Sequence, residues 1–203
     1  MANAVIDAIK HRRSIRKFLE TPIEKPIVDE IITAGRYAPS PEDDQPWRFI
    51  VVTNREKITR LSRDVKKEML SILKKRIVLQ LFYKQLRNRE TIEFLYAAAI
   101  VPEDTIFFNA PVVILVVTKD RRFYDESCAC CAQNMMLAGH SLGIGSCWIG
   151  FAHFLNQNKK VLADLQVPSG YHISAALVFG HPQEKPRQPS IRKPMADVIN
   201  WVE

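Results

Sequence analysis

Six consecutive apolar residues, Val112-Val113-Ile114-Leu115-Val116-Val117, constrain this chain more than any other feature. Branching at Cβ favours extended backbone, and a run without polar alternation predicts a strand buried on both faces. Asn109-Ala110-Pro111 introduces it. Shortly after, Ser127 to Ser141 reads as a helix rich in small residues, able to pack closely inside the core, with Gly143 and Gly145 stopping it.

The remaining pattern mixes helix and strand without an internal repeat. Residues 3–11 predict a helix with Val5, Ile6 and Ile9 apolar. Pro26 is placed to open a second helix carrying Ile27, Ile31, Ile32 and Tyr37 on or near one face, and Pro39 to close it. Trp47 to Thr53 reads as a strand. Residues 55–66, 66–88 and 91–101 read as three helices, the last ended by Pro102. Cys147 to Phe151, a short helix near 156–165 and a strand from Ile173 to Phe179 follow. Pro182, Pro186, Pro189 and Pro194 predict an extended tail.

With 203 residues the chain suits one domain, and 47% apolar with 25% charged residues is ordinary for a globular protein. No apolar run approaches the roughly 20 residues that cross a bilayer. The first residues lack the basic and apolar regions of a signal peptide. Cysteines 128, 130, 131 and 147 fit neither a disulfide framework nor paired zinc knuckles, which points to a reducing, cytoplasmic setting. On a helix Cys128 and Cys131 share a face and Cys130 does not, as buried small residues would.

The net charge of +7 invites a nucleic-acid reading, but the cations are spread along the chain without a finger, RNP or homeodomain signature. The densest run, from Lys66-Lys67 to Arg89, alternates with Leu70, Leu73, Ile77 and Leu81, as in a helix with one solvated face. A tighter cluster is His11-Arg12-Arg13-Ser14-Ile15-Arg16-Lys17. Guanidinium groups fork onto phosphate oxygens and a hydroxyl fills a remaining lone pair, so this cluster suits a small dianion. Ala38-Pro39-Ser40-Pro41-Glu42-Asp43-Asp44-Gln45-Pro46-Trp47 is a helix stop running into a strand, a natural place for a loop covering a ligand. His140 and His153 pair with no nucleophile or base and receive no role.

Arg12-Arg13-Ser14-Ile15-Arg16-Lys17-Phe18, Ala38-Pro39-Ser40 with Gln45-Pro46-Trp47, Ala132-Gln133-Asn134-Met135, Leu142-Gly143-Ile144-Gly145-Ser146-Cys147-Trp148-Ile149-Gly150 and Arg192-Lys193-Pro194 together resemble the nitroreductase family of FMN-dependent oxidoreductases. The motifs stand in the family's order. They span nearly the whole chain except about 66–106.

The resemblance implies an α+β fold in a single domain over 1–203. It would have a central, mainly antiparallel sheet of four or five strands between helices, a variable helical excursion at 66–106 and an extended tail at 182–203. Two chains would form an intertwined homodimer, each tail crossing its partner. Arg12, Ser14 and Arg16 would hold the FMN phosphate and ribityl chain, Arg13 adding contacts partly through its backbone and Arg192 closing the site from the tail. Pro39, Ser40 and Pro41 would come from the other subunit and cover the isoalloxazine, with Gln45 beside them. Trp148, Ile149 and Gly150 would present backbone to the ring, Gly150 allowing close approach. The family places an Asn where this chain has Asp43, and an ionised carboxylate only accepts hydrogen bonds. The implied reaction is ping-pong transfer of hydride from NAD(P)H through the flavin to a small-molecule acceptor such as a nitroaromatic or quinone. An FMN-binding protein without turnover is the alternative, and neither nucleic acid nor membrane is an expected partner.

Overall fold

The computed structural model describes residues 3–75, 87–184 and 192. In chain order the elements are α1 (Ala4–His11), α2 (Lys25–Arg36), a short 3-10 turn (Pro41–Asp43), β1 (Arg48–Val52), α3 (Arg55–Lys74), α4 (Arg89–Ile100), β2 (Val112–Lys119), α5 (Tyr124–Ser141), β3 (Gly145–Trp148), a 3-10 helix (Gly150–Gln157), α6 (Lys159–Asp164) and β4 (Tyr171–Gly180).

Asparagine starts four of these helices. The Oδ1 atoms of Asn3, Asn54, Asn88 and Asn158 accept from Val5, Lys57, Thr91 and Val161 backbone N–H groups at 3.0, 2.8, 3.0 and 3.1 Å. Each bond satisfies a donor that the first turn leaves without a helical partner.

The strands form one antiparallel sheet in the order β1-β2-β4-β3. Side chains from Val112 to Val117 are at most 1% exposed, because two cores use alternate residues of the same strand. Val113, Leu115 and Val117 pack with α3, α4 and the 3-10 helix; Val112, Ile114 and Val116 pack with α2 and α5. This is the α+β architecture, with a sheet between helical layers. No helix among the described residues is long and apolar enough to cross a membrane.

Several expectations shift. The helices expected at 55–66 and 66–88 are one helix through position 66 to Lys74, and 76–86 lie outside the described residues. Lys66 does not belong to a solvated face: it is 8% exposed, and its Nζ donates to the carbonyls of Val101 at 2.6 Å and Glu103 at 2.5 Å. Tyr37 is exposed rather than on the apolar face of α2, which Val28 and Ile31 carry. It stands nine residues after Val28, about two and a half turns, on the opposite side. Helix α5 begins three residues earlier than expected, with Asp125 and Glu126 in the first turn favouring its N-terminal dipole. Gly143 ends the helix at φ +75°, but Gly145 lies in β3, where a Cβ would come within 3.0 Å of Ile15. The tail around Arg192 falls outside the described residues.

Candidate functional site

Two glycines seat the basic segment on the sheet. Ile15 lies over Gly145, and a Cβ on Gly180 would come within 2.7 Å of the Phe18 ring. Main-chain bonds complete the seat: Ile15 N–H donates to Ser146 at 2.9 Å, Leu19 N–H to His181 at 2.8 Å and Gln183 N–H to Lys17 at 3.1 Å. The segment therefore runs along β3 as an extra edge, with Ser14 paired to Ser146. Arg12 caps the end of α1. Among the described residues, its Nε and the Ser146 Oγ are buried with no hydrogen-bond partner. A buried donor without an acceptor is costly, and an anion at this corner would relieve it. Burial pushes the Cys147 thiol up, while the Arg16 cation, the Ser14 hydroxyl and the Arg12 cation pull it down. Arg13 is half-buried. Arg192 is exposed.

Beside this segment opens a cavity of about 590 Å³, within the range of about 300–1,000 Å³ usual for small-molecule sites. Arg16 stands at it, with its guanidinium 5.8 Å from the Phe108 ring. Cys147, Trp148, Ile149, Gly150 and Phe151 form one wall, and Phe94, Ala97 and Ala98 of α4, with Val101 just past its end, the other. Phe94 and Phe151 meet at 5.7 Å with a tilt of 44°. Within Trp148-Ile149-Gly150 the roles divide. Ile149 N–H is spent on the Ala176 carbonyl at 2.8 Å and its side chain is buried. A Cβ on Gly150 would meet nothing within 4 Å. Gly150 thus leaves the chain open to whatever fills the cavity. The α4 wall is held by Lys66 and by Asp104, which accepts from Ser62 Oγ at 2.6 Å and from the N–H groups of Ile106, Phe107 and Asn109. Sequence reading missed Lys66, which looks like any other member of a charged run.

The loop from Pro39 to Pro46 is built differently. Glu42, Asp43 and Gln45 adopt φ of 53°, 55° and 44°, a left-handed region that non-glycine residues enter at a cost. Bonds inside the loop hold it: Ser40 Oγ accepts from Gln45 N–H at 3.0 Å, and Gln45 Nε2 donates to Asp43 Oδ1 at 3.1 Å. Thr118 Oγ1 donates to the Pro46 carbonyl at 3.1 Å. Outside the loop, Asp44 Oδ2 accepts from Tyr124 Oη at 2.8 Å and Arg121 Nη1 at 3.2 Å. The bond to Asp44 raises the Tyr124 pKa, keeping the phenol a donor.

The two halves of the expected site do not meet within one chain. The basic segment flanks β3, and the loop feeds β1 at the other edge of the sheet. Four strand spacings separate them, about 19 Å. Through the register, Ser14 lies level with Phe179 and Val112, whereas Pro46 sits by Thr118, about 20 Å further along the strands. They occupy opposite corners.

Comparison with known proteins agrees with this architecture. A nitrobenzene nitroreductase of Ectopseudomonas oleovorans is 29% identical over 197 residues, 86% of this chain and 85% of the relative. The crystal structure of a nitroreductase with bound FMN from Bacteroides fragilis superposes with a TM-score of 0.79 at 25% identity, covering 100% of both chains. A BluB-like flavoprotein from Clostridium difficile, 20% identical with a TM-score of 0.77 and 100% of both chains covered, shares the fold. The Nitroreductase family pattern itself matches residues 9–181, most of the chain, and the chain belongs to that family.

Proposed function

We propose that this protein is an FMN-dependent oxidoreductase that uses NAD(P)H to reduce a small organic acceptor, such as a nitroaromatic or quinone, and works as a homodimer. The observation carrying this reading is the placement of Arg12, Ser14 and Arg16 along β3, directly beside an aromatic-walled cavity. The residues present fit FMN. The buried Arg12 Nε lacks the acceptor that a phosphate oxygen would provide, and the open face of Gly150 leaves room for a flat ring.

In this reading Arg12, Ser14 and Arg16 bind the phosphate and ribityl chain, Arg13 contributes backbone, and Arg192 adds a further cation from the tail. Trp148 and Gly150 line the ring, and Ile149 supports them by packing. Pro39, Ser40, Pro41, Asp43 and Gln45 reach the ring from a second copy, since their corner is too far from the basic segment for one flavin to touch both. When bound, FMN supplies the redox chemistry, accepting hydride from NAD(P)H and passing two electrons to the acceptor, so the two substrates use one slot in turn. No side chain then has to act as an acid or base. The chain's part is to hold the phosphate, exclude water with Phe94, Phe151 and Phe108, and admit the acceptor past α4.

Anaerobic titration tests the reading. The purified protein should bind about one FMN per chain, NADH or NADPH should bleach it, and a quinone or nitroaromatic should restore the colour. A bound flavin that neither nicotinamide reduces would instead identify a flavin-binding protein without turnover.

A further inference from the structure

The loop at 40–46 has three strained residues, and bonds inside a loop cannot alone fix where it sits on the body of the protein. Thr118 and Arg48 hold its last residues through the Pro46 and Gln45 carbonyls, and Asp44 provides the tether to α5. It lies between the left-handed Asp43 and Gln45, itself at φ −63°, and its Oδ2 turns toward α5. There Tyr124, 8% exposed in the first turn of α5, donates to it at 2.8 Å. Arg121 binds both partners, giving Nη1 to Asp44 at 3.2 Å and to the Tyr124 oxygen at 2.8 Å, with its guanidinium 5.3 Å from the Tyr124 ring. The three side chains close a triangle between segments about 80 positions apart in the sequence.

We infer that Tyr124 and Arg121 are positioning residues: acting through Asp44, they hold the 40–46 loop in the shape in which it covers the flavin bound by the partner subunit. The inference rests on the proposed assembly of the flavin site from two copies. Neither residue touches the cavity of its own chain. Their influence travels through the loop, so loss of the triangle loosens the cover without removing any group from the phosphate or ring contacts. The Tyr124 ring remains packed in a Phe variant, which deletes only the hydroxyl at the centre of the triangle.

The test uses the FMN-loaded dimer and three variants, Tyr124→Phe, Arg121→Gln and Arg121→Lys, with Pro41→Gly as a direct disturbance of the loop. Flavin circular dichroism in the visible range reports the ring's surroundings, and fluorescence titration gives the FMN affinity. Tyr124→Phe and Arg121→Gln should each change the visible dichroism and weaken FMN by about three- to tenfold, the scale of one ordinary hydrogen bond. Arg121→Lys, which keeps a cation and a donor, should recover part of the loss. If Pro41→Gly alters the dichroism while Tyr124→Phe and Arg121→Gln do not, the triangle does not position the loop and the inference is wrong. If Pro41→Gly is silent too, the loop does not cover the flavin, and the shared-site reading falls together with the inference.

Discussion

The two corners of the sheet that would meet across a dimer are made in opposite ways. At β3 the basic segment is laid on the sheet as an added edge, seated on Gly145 and Gly180 and fixed by main-chain bonds. Its cations are fixed to the sheet by the main chain, and the buried Arg12 Nε has no acceptor among the described residues. At β1 the loop is acidic and exposed, bent through three left-handed residues, and held by side chains. A rigid anionic-ligand cradle and a tethered cover are different devices. The first should dominate affinity, the second the electronic setting of the ring.

Substituting the cradle should therefore have the largest effect. Arg16→Ala is expected to weaken FMN by about 1.5–3 kcal/mol, the cost of a charged hydrogen bond, and to weaken riboflavin far less. Parallel titrations with the two flavins check this, and equal losses for both would remove the phosphate from that corner. Gly145→Val acts on the seat instead of the cation. Its Cβ alone would stand 3.0 Å from the Ile15 side chain and its methyls add to the crowding, so the segment must shift on β3. Crowding of this kind costs about 1–3 kcal/mol. Urea unfolding should show that loss in the apo chain, accompanied by weaker FMN binding; unfolding at the wild-type midpoint would mean that the segment is not seated on this glycine.

The cover should sharpen the contrast with a smaller, electrical effect. Asp43 is exposed and its Oδ1 already accepts from Gln45. A carboxylate near the ring disfavours negative charge there, so Asp43→Asn should raise the flavin potential while dimerisation and FMN affinity change little. At about 4 Å and an effective dielectric of about 20 the Coulomb energy is about 4 kcal/mol, an upper bound that solvent reduces. About 1.4 kcal/mol corresponds to about 30 mV for a two-electron couple, readily measured by spectroelectrochemistry. An unchanged potential would turn this carboxylate away from the ring.

Much of this layout is legible in the chain, and the exceptions have physical causes. Val112 to Val117 announces a strand covered on both sides because no polar residue interrupts it, and the structure buries all six. The cations of 12–16 announce themselves by residue type. Lys66 does not, since nothing local distinguishes a lysine that reaches the end of another helix from its solvated neighbour Lys67. Tyr37 continues the apolar spacing of α2 in the sequence but stands just past its last helical turn, where the backbone turns it outward. The Asp44–Tyr124–Arg121 triangle joins residues that no motif connects, and it emerges only when β1 and β2 bring the loop to the start of α5.

The smallest effect is a pH dependence, which touches the basic corner through His11 and Arg12 beside His140. Burial lowers the pKa of His140 and of His153 below the ordinary 6.5, with Asp125 partly opposing this at His153. Both histidines therefore bind protons more readily in the unfolded chain. Their contribution to stability is complete above the ordinary value and declines as pH falls through it toward the folded values. Urea midpoints between about pH 7.5 and pH 5 should decrease, and His153→Asn should flatten part of that slope. An unaltered slope in the variant would show that His153 is not a source of it.

The claim that one flavin is shared between opposite corners of two chains is tested most directly by subunit mixing. A chain carrying Arg12→Ala and Arg16→Ala keeps an intact loop, and a chain carrying Ser40→Ala and Asp44→Ala keeps an intact cradle. The cradle variant alone should bind FMN weakly, and the loop variant alone should bind it several-fold more loosely than the wild type. Unfolded together and refolded as a mixture, they form dimers in which one site combines both lesions and the other combines neither. The account predicts that tightly bound FMN reappears in the mixed dimer at one per two chains. If the mixture binds no better than its separate components, both halves of the site belong to one chain and the shared-site account is contradicted.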